Sequence, residues 1–133
     1  MTRLPDSAAI ARVASHLAAG ETVARDDMAG AARAVVSALA AAHPGHTIEV
    51  RVPPFAAAQV SALDGEGPAH RRGTPPNVVE LAPETAVLLA VGDLLWDDAV
   101  SAGLIRYSGA HAADVASMLP LGTVLLAHGE ARK

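Results

Sequence analysis

The stretch that most limits what this chain can become is "PETAVLLAVG", residues 83–92. Pro83 in a first turn with Glu84 beside it is a helix start in the expected order, and Gly92 is the stop. Between them Val87-Leu88-Leu89-Ala90-Val91 has no polar face. A helix that is apolar all round has to be covered on more than one side. So much aliphatic surface in a short chain must face other elements, a ligand, or both.

The neighbouring residues say what that cover is. Ile10, Val13, Ala14 and Leu17 recur at helical spacing after a cap at Asp6 or Ser7, with Gly20 as the stop. Met28, Ala32, Val35, Val36 and Leu39 line one face of a second helix from about Arg25 to Ala42, which "HPG" ends. The period then changes. In "TIEVRV" Ile48, Val50 and Val52 alternate with Thr47, Glu49 and Arg51, a strand with one wet face. Pro53-Pro54 places a bend or an edge there. "FAAAQVSAL" reads as a second strand, "DGEG" as a turn and "PAHRRG" as a third strand. "TPP" forces extended backbone into a fourth strand, "NVVELA", with Val79 and Leu81 on one face and Val78 and Glu80 on the other. After the apolar helix, Asp93 caps "LLWDDAVSA", closed by Gly103. "LIRYSG" is a last strand, with Ile105 and Tyr107 on one face and Arg106 on the other. "ADVASML" adds a short helical piece before Pro120, and the tail 121–133 has no clear period.

Adjacent strands joined by short turns imply an α+β domain: a five-stranded, mostly antiparallel sheet with helices covering one face. At 133 residues the expectation is a single domain, with a helix pair over 6–42, sheet and covering helices over 46–119, and a loose tail over 121–133. The core is aliphatic: 31 Ala, 14 Val and 14 Leu, but one each of Phe, Trp and Tyr. An Ala-rich second strand leaves room under the helices.

Composition excludes several functions. Net charge is −4 with no basic stripe or aromatic platform, so nucleic acid is a poor fit. Without cysteine there is no disulfide, thiolate metal site or Cys nucleophile. No apolar run nears the ~20 residues that span a bilayer, and the N-terminal segment is broken by Pro5, Asp6, Arg12 and His16, unlike a signal peptide. A cytoplasmic protein without integral membrane contact is expected. The histidines 16, 43, 46, 70, 111 and 128 include the pair in "HPGH", with no third ligand at recognisable spacing, so neither metal nor other cofactor is implied. Asp97 and Asp98 point about 100° apart on a helix, too divergent to share a proton, and no serine sits in a nucleophile elbow. The sequence offers no catalytic set.

At "VRVPPF", "RGTPPNVVELAPETAVLLAVGDLLWDDAVSAGLIRYSG" and "ADVASMLPL" the chain resembles the sterol-carrier-protein-like domains, in particular their small stand-alone actinobacterial members, over roughly Ala24 to Leu121. It is also similar to the C-terminal domain of mycothiol-dependent maleylpyruvate isomerases. The resemblance implies a five-stranded sheet under helices, with an apolar tunnel between them for sterols, fatty acids or acyl-CoA. It also raises "PAHRRG" as a strand. The chain departs from the animal carriers in its end: "ARK" is not a peroxisomal address, and "LGTVLLAHGEARK" does not read as the helix that closes their tunnel.

Two sets of site residues follow. Val87, Leu88, Val91, Leu95, Trp96 and Val100 would line one wall of a tunnel, with Phe55, Val60 and Tyr107 opposite; packed flush, the same residues would be plain core. Arg51, Arg72, Thr74 and Asn77, beside the two double prolines, would hold a carboxylate or phosphate head at the mouth; the alternative is ordinary pairing of the arginines with Glu49, Glu80 or Asp64. The expected function is non-enzymatic binding or transfer of a lipid or acyl ligand. The rivals are a protein-interaction or homodimerisation module with a filled core, and an accessory domain of a thiol-dependent isomerase or transferase.

Overall fold

A computed structural model describes residues 5–62 and 77–122. The chain runs α1 (Pro5–Ala18), α2 (Arg25–Ala42), β1 (Ile48–Val52), β2 (Ala56–Val60), β3 (Asn77–Leu81), α3 (Pro83–Val91), α4 (Trp96–Ser101), β4 (Ile105–Ser108) and a 3-10 helix (Ala112–Met118). The strand expected at "PAHRRG", the "DGEG" turn and the tail from residue 123 onward lie outside the described residues.

The described strands form a four-stranded mixed sheet in the order β2-β1-β3-β4. Two of the three pairings are antiparallel, in line with a mostly antiparallel sheet; the expected fifth strand falls outside the described residues, and the departure is the central pairing. β1 pairs with β2, and β3 with β4, antiparallel, but the central pair β1–β3 is parallel, with Val50 opposite Val79. The reason is connection length. Pro53 and Pro54 occupy the tight turn of the β1–β2 hairpin, where the Phe55 N–H donates to the Val52 carbonyl at 2.9 Å, so that pair must be antiparallel. Residues 61–76 then give the chain length enough to pass to the other edge of β1 and run alongside it.

Alternation places Ile48, Val50, Val52, Val79 and Leu81 on the inner face, buried in one core with the helices. Glu49, Arg51, Val78 and Glu80 take the outer face, half-buried. α2 packs on β1 and β2, and α3 packs against both α1 and α2. That is the cover α3 requires: Thr85, Ala86, Val87, Leu89, Ala90 and Val91 are all buried. The small Ala56 and Ala58 on the inner face of β2 do not leave ligand space, because α2 comes down over them.

Helix ends differ in detail from expectation. α1 begins at Pro5, so Asp6 and Ser7 lie inside it and not at its cap. α3 closes on Gly92 in the left-handed region (φ 82°), a conformation that favours glycine. Asp93 belongs to that closure, its N–H donating to the Leu88 carbonyl at 3.0 Å. α4 therefore starts at Trp96, with Leu95 at its cap position in place of Asp93. This shift exposes Leu95 and creates the site.

Candidate functional site

Two apolar spaces lie where α3, α4 and the 3-10 helix meet. The inner one is a void of about 10 Å³. Val50 and Val52 of β1 with Val79 and Leu81 of β3 make its floor, and Ala86 and Leu89 of α3 its roof. Val35 and Leu39 of α2 close one side, and Trp96, Val115 and Leu119 the other. Such a volume is about one water probe, and its apolar lining offers a water no partner. In this state it holds no acyl chain.

The outer space is a solvent-open groove of about 430 Å³, within the roughly 300–1,000 Å³ of ordinary ligand pockets. Gly92, Leu94, Leu95 and Asp97 form one bank, and Ala116 and Pro120 the other. The second bank is tied down by the Leu121 N–H, which donates to the Ala90 carbonyl at 2.9 Å. Leu89, Trp96 and Leu119 line both spaces, so these three side chains are the partition between groove and void.

Of the apolar residues expected from sequence, the structure brings Leu95 and Trp96 to the groove. Leu95 is 62% exposed, a large apolar side chain presented to the opening. Tyr107 backs the site, its ring 6.2 Å from that of Trp96 and tilted by 52°. Val60, Val87 and Val91 are core. Val100 is part-buried against that core, and Leu88 is half-buried with its carbonyl in the α3 closure. Phe55 stands elsewhere, in a hollow of about 330 Å³ with Met28, Pro83 and Glu84, its ring 5.0 Å from the Arg25 guanidinium carbon.

The polar set is not gathered at this groove. Arg51 lies on the outer sheet face, between Val50 and Val52 that line the void, and its Nε donates to Glu49 at 2.9 Å. Asn77 is 4% exposed. Its Nδ2 donates to the Thr47 carbonyl at 2.9 Å, while its Oδ1 accepts from the His111 N–H at 2.8 Å. It is a structural clasp between β1 and the start of the 3-10 helix. Arg72 and Thr74 lie outside the described residues.

Sequence reading missed Leu89, Leu94, Asp97, Leu119 and Pro120. The signal was present in Leu94-Leu95-Trp96, three large apolar residues in a row between two aspartates, since consecutive residues of a turn or helix cannot all face one core.

Among the described residues, no group of three His, Asp or Glu stands placed to hold a metal ion. No helix among them is long and apolar enough to cross a membrane. Comparison with known families finds a match to the model described as bacterial SCP ortholog over residues 24–121. No curated protein matches the chain.

Proposed function

Because the chain belongs to the bacterial sterol-carrier-protein orthologs, we propose that it binds an apolar, chain-like small molecule without chemical turnover. The ligand would lie in the groove between α4 and the 3-10 helix and reach toward the void when Trp96 or Leu119 turns aside. The observation that carries this reading is the shared partition: three side chains separate an open groove of about 430 Å³ from an apolar void. Transfer of each buried CH₂ from water gains ~0.8 kcal/mol. A chain covering half its length in the groove would therefore bind in the micromolar range after association losses.

Trp96 is the sole tryptophan, so its fluorescence reports from the partition itself. Delipidated protein titrated with n-dodecanol should show a saturable change in Trp96 emission, and a Leu119→Phe variant, whose larger ring narrows the groove and leaves Trp96 the single reporter, should lose dodecanol affinity while remaining folded. A flat titration at high protein concentration would remove the carrier reading. The small size of the void favours a second reading, an interaction module whose core is complete without ligand; a concentration-dependent dimer with no co-purified apolar molecule in native mass spectrometry would support it.

A further inference from the structure

We propose that the groove selects a chain with a positively charged head, an amine or quaternary ammonium, over the fatty-acid anion. This rests on the groove being the binding site and names the chemistry of what enters it. Two observations carry it. First, Asp97 lines the groove next to Trp96 and is the one charged residue lining it among the described residues. An aromatic ring beside a carboxylate suits a cationic head, which gains from the ring's quadrupole and from the opposite charge. Second, the surroundings are acidic. α3, α4, the link between them and the 3-10 helix carry Glu84, Asp93, Asp97, Asp98 and Asp114 and no Lys or Arg. Asp97 and Asp98 are both exposed.

Among the described residues, the nearby basic groups are directed elsewhere. Arg106 is on the outer sheet face, 85% exposed and 3.9 Å from Glu80, and the His111 ring is 3.1 Å from Asp114. Arg51, also on that outer face, donates to Glu49. A carboxylate head at the groove would thus meet like charge, while an ammonium would meet its complement.

The test compares dodecylamine, n-dodecanol and sodium dodecanoate at neutral pH, each kept below its micellar concentration and read by Trp96 emission. The expected order is amine, alcohol, carboxylate, with at least a threefold gap between the first and last. Asp97→Asn should shrink that gap, and Asp26→Asn, an exposed acid of α2 outside the groove, should leave it intact. Dodecanoate binding as tightly as dodecylamine would overturn the assignment while leaving the groove as an apolar site. A gap equally large in Asp97→Asn and in the unaltered protein would also overturn it, since the preference would then come from net charge alone. If none of the three binds, the groove reading itself fails and this inference falls with it.

Discussion

Val87 and Leu95 are aliphatic residues on either side of the Gly92-Asp93 break, yet the first is wholly buried and the second 62% exposed. The difference is what covers each. Val87 sits on α3, which packs against α1 and α2 and shares one buried core with the strands. Leu95 sits just past the Gly92 closure, where the chain has left that enclosure and α4 has not begun. Apolar composition is the same at both ends; only the number of neighbouring elements changes. One end of the helical layer is therefore a packed core, and the other is an apolar surface held open by a short connection. Exposed apolar surface with a defined shape is a common mark of binding.

The comparison breaks first if the packed end is less packed than described. Ile48 is fully buried on β1 beneath α2. Ile48→Ala should cost about 2–5 kcal/mol, the range for large-to-small changes in a close-packed interior, measured by urea denaturation with an unchanged slope. A loss below about 1 kcal/mol would mean the core relaxes readily, and that the void could swell to take a ligand without help from the groove.

A smaller effect tests the clasp that holds the open end in place. Asn77→Ala removes the two hydrogen bonds that its side chain makes, to the Thr47 carbonyl and from the His111 N–H. Each such hydrogen bond nets about 0.5–1.5 kcal/mol, so a loss of about 1–3 kcal/mol is expected. Because Leu119 directly follows the 3-10 helix, dodecanol affinity should fall as well. If instead stability holds and only carboxylate-headed ligands weaken, Asn77 would be a head-group residue after all.

Much of the fold was legible because its signals are local. The change from helical spacing in α2 to alternation in β1 marks the first strand, and the Pro83-Glu84 start and Gly92 stop bound α3. The parallel pairing of β1 with β3 was not legible, since it depends on where residues 61–76 carry the chain and not on any residue within the strands. The site was half legible. Leu95 and Trp96 were named, but in company with Val60, Val87 and Val91, because period shows which residues are apolar on all sides and not whether an element or a ligand covers them. Arg51 was assigned to the mouth on the strength of its neighbouring prolines, although alternation with Val50 and Val52 already turned it away from the helices.

The smallest effect on stability should come from the residue with the largest expected effect on binding. Leu95→Ala removes a side chain that is mostly in water, so unfolding free energy should change by no more than about 0.5 kcal/mol, as for other surface positions. The same change takes apolar area from the groove bank, and dodecanol affinity should drop about three- to tenfold, near 1 kcal/mol. Isothermal titration and thermal unfolding on the same preparation separate the two quantities. Affinity lost with stability kept would show that this exposed leucine is reserved for a ligand. Affinity kept with stability kept would make Leu95 an idle surface leucine, and the contrast with Val87 would then reflect only where the chain turns.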